Sequence, residues 1–172
     1  MQKLMQNRKK GFTLVELIVV IVIIAILMAA LTPAILGVIN RANRSADEAN
    51  ARSVMLAAGV AATLVNPPSP PLGTGTSGAN NNGVANMNHA FGGAGMGPRR
   101  DAPVTYHVWF RGPSAIRVSV PARSATQPTI VIGELTAPTP GSNDIVLRAI
   151  TINAQGNVTY VGNVVNNPTE IN

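Results

Sequence analysis

The sequence predicts an α+β fold: a long N-terminal α-helix, membrane-spanning in its first half and amphipathic in its second, packed on a C-terminal antiparallel β-sheet. Three observations lead there. An apolar run fills residues 17–31 without a break. A helical apolar stripe continues from it to residue 64. From Val104 onward the apolar residues recur with a period of two. The 172 residues suffice for one globular domain plus a long appended element. Composition divides them into a basic leader (1–11), a hydrophobic transmembrane or assembly helix (12–39), an amphipathic helix half (40–65), a Gly/Pro/Asn-rich loop (66–103) and a sheet region (104–172).

The leader carries Lys3, Arg8, Lys9 and Lys10, and no lysine follows it. These charges would orient the following helix with its N-terminus in the cytoplasm. They also account for most of the net charge of +6; beyond residue 11, nine arginines face seven acids, a net +2. The basic balance is therefore a property of the leader and no footprint for nucleic acid. Cysteine is absent, which excludes disulfides and thiolate metal sites.

Residues 12–39 are apolar all round, which suits lipid or a crowded helical core rather than a soluble surface. At about 1.5 Å per residue the run spans a hydrocarbon core of roughly 30 Å. An ordinary cleaved secretory signal is disfavoured, because no small-residue cleavage site is followed by a soluble start. Within the run stands one acid, Glu16. A carboxylate there is costly in lipid. It either snorkels to the interface or pairs with an ammonium group of a neighbouring helix. Pro33 removes a backbone donor and marks either a simple kink or a segment that loosens when helices pack.

The stretch Arg8-Lys9-Lys10-Gly11-Phe12-Thr13-Leu14-Val15-Glu16 followed by the apolar run resembles the class III signal of type IV pilins and the related pseudopilins. The resemblance covers about Arg8 to Ala34. It implies that a membrane-embedded aspartyl prepilin peptidase cuts between Gly11 and Phe12 and methylates the new N-terminus at Phe12. It implies that Glu16 sets the register between subunits and that Pro33 loosens the helix in a filament. The partners implied are other copies of the chain, the peptidase, a pilus assembly platform, and the membrane before assembly. The implied function is a structural subunit of a type IV pilus, anchored in the cytoplasmic membrane by a single pass and then carried to the cell surface, for adhesion, twitching motility or DNA uptake. The alternatives are a pseudopilin of a type II secretion or competence system, and a monomeric membrane-anchored binding domain. The cysteine-bounded C-terminal loop of many pilins is missing, as are the calcium loop and Tyr-Pro-Thr stretch of major pseudopilins.

In the second helix half, Ala42, Ala46, Ala49, Ser53, Leu56, Val60 and Leu64 form a helical stripe, expected to meet the sheet through Leu56, Val60 and Leu64. Arg41, Arg44, Asp47, Glu48 and Arg52 are expected on the other faces. Asn66-Pro67-Pro68 ends the helix. Residues 66–103 read as a surface loop too poor in apolar residues to fix a shape, with Ala90-Phe91 as its anchor.

Five strands are expected: Val104–Phe110, Ile116–Val120, Thr129–Leu135, Ile145–Ile152 and Asn157–Val165. Gly112-Pro113 turns the first pair, and Asn153-Ala154-Gln155-Gly156 makes a hairpin turn between the last two. Aromatics are only 3% of the chain, so the core must come from Val, Ile, Leu and Ala. One sheet face is expected on the helix and the other in water.

No paired carboxylates, nucleophile motif or metal cluster is visible, so neither an enzyme nor a cofactor is expected. His89 and His107 are too few for a metal. Gly92-Gly93-Ala94-Gly95 lacks the strand and the Lys-Ser/Thr of a phosphate loop. DNA binding through Arg99-Arg100, Arg111, Arg117 and Arg123 is unsupported, since these read as a scattered, solvated set with one adjacent pair.

Overall fold

The structure, a computed structural model, describes residues 11–64, 75–76, 82–123, 127–134 and 145–163. Residues 1–10 of the expected leader and most of 66–81 lie outside these, as do 135–144 and the C-terminal end. Two compact units are present, 1–43 and 44–172. A 50-residue helix, α1 (Leu14–Thr63), supplies residues to both.

In the first unit α1 has no core of its own. Every large apolar residue from Leu14 to Ile39 is at least 45% exposed. This is the one helix among the described residues apolar enough to cross a membrane, with a mean hydropathy of 3.2 in its most apolar window.

The second unit is an antiparallel sheet with a helix on it. The strands are β1 (Gly75–Thr76), β2 (Val104–Arg111), β3 (Ser114–Val120), β4 (Ile130–Gly133), β5 (Ile145–Ile152) and β6 (Val158–Asn163), in the order β1-β6-β5-β2-β3-β4. The central pair β2/β5 runs in unbroken register from Val104↔Ile152 to Arg111↔Ile145. The β2–β3 turn uses Gly112 at φ 57°. In the β5–β6 hairpin, Asn153 N–H donates to the Asn157 carbonyl at 2.9 Å, and Gly156 N–H donates to the Asn153 carbonyl at 3.0 Å. The Asn153 side chain accepts from Gln155 and Asn157 N–H groups as well, the self-bonding that makes Asn a turn residue. The strand-forming stretches and both turns are where the period-two pattern places them; the two-residue β1 was not anticipated.

The core joins Val104, Tyr106, Val108 and Phe110 of β2, Val118 and Val120 of β3, and Ile150 and Ile152 of β5 to Ala51, Val54, Ala57, Ala58, Ala61 and Ala62 of α1. This overturns the expected docking stripe. Leu56, Val60 and Leu64 are 73%, 51% and 45% exposed. The helix turns its small residues, with Val54, to the sheet, and these are the α1 side chains that join the core.

The second sheet face is only partly solvated: Thr105, His107, Ala149 and Thr151 are half-buried and Arg111 is exposed. Trp109, Ile145 and Leu147 form a separate buried cluster with Ile116 packed on it. Arg117 lies over the Trp109 ring, its Cζ 5.2 Å from the centroid, a geometry in which the cation meets the negative face of the ring. Burial lowers the Arg117 pKa, with Glu134 acting the other way. Period-two alternation identified the faces correctly, but the polar residues Thr105, His107 and Arg117 concealed the buried cluster around Trp109.

Part of the expected loop is also ordered. Residues Asn82–Ala90 form helix α2. Its Val84 and Met87 enter the core, and Ala90 and Phe91 pack against it. The helix closes in a Schellman arrangement: Gly92 N–H donates to the His89 carbonyl and Gly93 N–H to the Asn88 carbonyl, both at 2.9 Å, with Gly92 at φ 94°. Asn88 then bonds β6 as a strand would, accepting from Val158 N–H at 3.0 Å and donating to the Val158 carbonyl at 3.4 Å.

Candidate processing and assembly segment

The segment is built from its first helical turn. Residues 11–13 are not helical and α1 begins at Leu14. Thr13 is the cap. Its backbone N–H donates to Glu16 Oε2 at 3.0 Å, its hydroxyl donates to the same oxygen at 2.9 Å, and its Oγ1 accepts from Glu16 N–H at 3.3 Å. The Thr13 carbonyl takes the Leu17 N–H at 3.3 Å. Thr-x-x-Glu is a capping box, in which the first and fourth residues satisfy each other's backbone donors. The Glu16 carboxylate also sits where the helix macrodipole favours negative charge.

The predicted cleavage residues lie just before this cap. A side chain at Gly11 would meet nothing within 4 Å, and Phe12 is 84% exposed. Glu16 touches Thr13 and is itself outward-facing. Its predicted register role would require a second chain, so its geometry within one chain is that of a cap.

Pro33 lies inside α1, which continues through it. Proline has no N–H to give the Ala29 carbonyl. One residue upstream, the Thr32 hydroxyl donates to the Met28 carbonyl at 2.8 Å. A hydroxyl bonding back to its i−4 carbonyl tends to bend a helix, so Thr32 and Pro33 together make one locally weakened turn.

In the second unit, the exposed Leu56 and Val60 join Met55, Gly59, Thr63, Pro113 and Ala115 around a groove of about 630 Å³. A Cβ at Gly59 would meet nothing within 4 Å.

The arginines set aside as a solvated set are largely engaged. Asp47, 3% exposed on α1, holds Arg123 through two bonds of 2.8 Å and lies 3.5 Å from Arg100 Nε. The Asp47 carboxylate raises the Arg123 pKa. Arg117 is 4% exposed, and Arg111 pairs with Glu134 at 3.0 Å. Sequence reasoning placed Asp47 on a solvated face; only the shift of the docking stripe by about half a turn brings it inside. Burial holds the His107 pKa below its ordinary value. Among the described residues no three His, Asp or Glu side chains converge as a metal site would require.

Thr13 is part of the motif, and its capping bond to Glu16 was not anticipated, although the Thr-x-x-Glu spacing before an apolar run is the signature of such a cap.

Comparison with protein-family models matches residues 6–32 to the prokaryotic N-terminal methylation motif. That motif is the class III signal peptide of type IV pilins and pseudopilins. Neither the comparison with characterised proteins nor that with solved structures gives a match.

Proposed function

We propose that this chain is a structural subunit of a type IV pilus. It is held first in the cytoplasmic membrane by residues 12–39 with its N-terminus in the cytoplasm. It is then cut between Gly11 and Phe12 by a prepilin peptidase, methylated at Phe12, and drawn by the assembly platform into a filament of many copies. The observation that carries this reading is the methylation motif joined to a helix whose apolar side chains face outward along its whole first half.

The energetics support the same reading. Leaving a Leu, Ile or Val exposed forgoes about 1.5–3 kcal/mol of transfer free energy each. Eighteen outward-facing large apolar residues between Leu14 and Ile39 require lipid, other helices, or each in turn. Lipid solvates the apolar side chains but not Glu16. A filament core of like helices solvates both, if the ammonium of Phe12 from another copy meets the carboxylate; a paired charge in a low-dielectric site is far less costly than a lone one. Leu56 and Val60 carry the same outward apolar character into the second unit.

The test is shearing of whole cells. The reading expects the chain in the sheared filament fraction, with filaments lost when its gene is removed and restored by the intact chain. Recovery solely as a detergent-soluble monomer in the membrane fraction would contradict it.

A further inference from the structure

We propose that Thr13 is a positioning residue for processing: its capping box with Glu16 stops α1 at Leu14 and so keeps the Gly11–Phe12 peptide bond out of the helix. This rests on the reading that the chain is cut at that bond. The cut itself is a hydrolysis. Water adds to the Gly11 carbonyl carbon, the C–N bond to Phe12 breaks, and the Phe12 nitrogen leaves as an amine with a proton from the water.

Backbone donors set where the helix begins. In an α-helix each N–H seeks the carbonyl four residues back. For Glu16 that carbonyl belongs to Phe12, and for Val15 it belongs to Gly11, the carbonyl that must be attacked. Near lipid an N–H without a partner is expensive, so an uncapped helix is driven to extend backward through Phe12 and Gly11. Here the Glu16 share of that demand, and the Thr13 N–H, are met from within. Thr13 Oγ1 takes the Glu16 N–H at 3.3 Å, and Glu16 Oε2 takes the Thr13 N–H at 3.0 Å.

The outcome is visible in the backbone: residues 11–13 are not helical. The space beside Gly11 is open to 4 Å, and Phe12 is exposed. Segments recognised through their main chain are bound extended, with their own N–H and C=O groups free to pair with the partner. A helical scissile bond offers neither. The two residues after the cut thus do different work, Phe12 as the new terminus and Thr13 as the stop that leaves it accessible.

Capping needs an oxygen acceptor at residue 16 and a hydroxyl at residue 13, but not a charge. That separates this role from recognition of the Glu16 carboxylate by the peptidase. The experiment follows cleavage of the full-length precursor in membranes containing its peptidase, with initial rates by mass. Thr13→Val, which keeps the shape and removes the hydroxyl, should slow cleavage at least about threefold. Thr13→Ser should restore the rate. Glu16→Gln should cleave like the unaltered chain, and Glu16→Ala should be slow. Cα chemical shifts of the precursor in micelles should show Phe12 turning helical in Thr13→Val and not in Thr13→Ser. Unaltered cleavage of Thr13→Val overturns the inference alone. Slow cleavage of Glu16→Gln at the Glu16→Ala rate overturns it in favour of charge recognition. An unaltered chain left uncut by an active peptidase overturns the processing reading and this inference with it.

Discussion

Asp47 and Arg123 meet side-on across the edge of the core, Nε to Oδ2 and Nη2 to Oδ1, each at 2.8 Å. Two parallel bonds between planar groups are the strongest form of such a pair. Asp47 comes from α1 and Arg123 from the segment after β3, so the pair fixes the helix on the sheet in one axial register. Arg100 adds a third charge at 3.5 Å.

Removing Asp47 takes the buried carboxylate from two arginines, leaving Arg123 the exposed Asp101 at 3.7 Å and Arg100 the Pro121 carbonyl at 3.4 Å. Breaking a buried pair costs about 3–5 kcal/mol. Asp47→Ala should therefore lower stability by roughly that amount in urea unfolding of the detergent-solubilised chain. Arg123→Ala on the same background should add little, because the partner is already gone. Additive losses would show that the two residues act separately.

The two faces of α1 should respond oppositely. Ala58 is fully buried against the sheet, and enlarging it should cost about 1–3 kcal/mol. Ala58→Leu is expected to reduce stability and to impair assembly only through folding. Leu56, 73% exposed, should tolerate Leu56→Ser within about 0.5 kcal/mol yet yield fewer filaments. Equal filament yield from Leu56→Ser would remove this face from the assembly account.

Tyr106 gives a pH signature. Burial pushes its pKa up to about 12 from 10.0, opposed by the nearby Arg100. Its stabilising effect is therefore complete below pH 10, where tyrosine is neutral in both states. Between pH 10 and about 12 the unfolded chain ionises and the folded chain does not, so stability falls by up to roughly 2–3 kcal/mol. Tyr106→Phe should flatten that part of the profile. A slope unchanged by the substitution would assign it elsewhere.

Gly156 stands at φ 82°, and a Cβ there would lie 2.5 Å from the Gly97 carbonyl oxygen. The same approach supports the bond from Gly97 N–H to the Gly156 carbonyl at 2.9 Å. Gly156→Ala should therefore destabilise by more than about 1 kcal/mol and loosen the 91–97 turn, read as faster amide exchange at Gly97. Unchanged exchange would show that the turn is held by other contacts.

The sheet was legible because alternation of apolar residues reports strand faces directly, from Val104 through Ile152, and because Asn153 to Gly156 carry turn chemistry in their side chains. The helix face was not. Hydropathy weights Leu56 and Val60 above Ala51 and Ala58, whereas it is the alanines that pack into the core. Helix α2 was hidden for another reason: Asn and Gly have low helix propensity, and the order comes from Val84 and Met87 packing into the distant core. In the N-terminal segment the motif of residues 6–32 was readable from the sequence. The Thr13–Glu16 capping box was present in its spacing, but the intersubunit reading of the same acid drew attention from it.

That overlap has a consequence for Glu16. Within one chain it caps its own helix; in the proposed filament it would meet an amine from another. Glu16→Gln keeps the cap and loses the charge. It should be processed normally and assemble poorly, as measured by the ratio of sheared to membrane-bound chain. Normal assembly of Glu16→Gln would contradict a charge-based register.

The most direct measurement is mass spectrometry of the chain from sheared surface filaments. Processing at the motif predicts an abundant terminal peptide that begins at N-methylated Phe12, with residues 1–11 missing. Surface filaments built from chains that retain residues 1–11, or that begin elsewhere with an unmethylated terminus, would contradict the account.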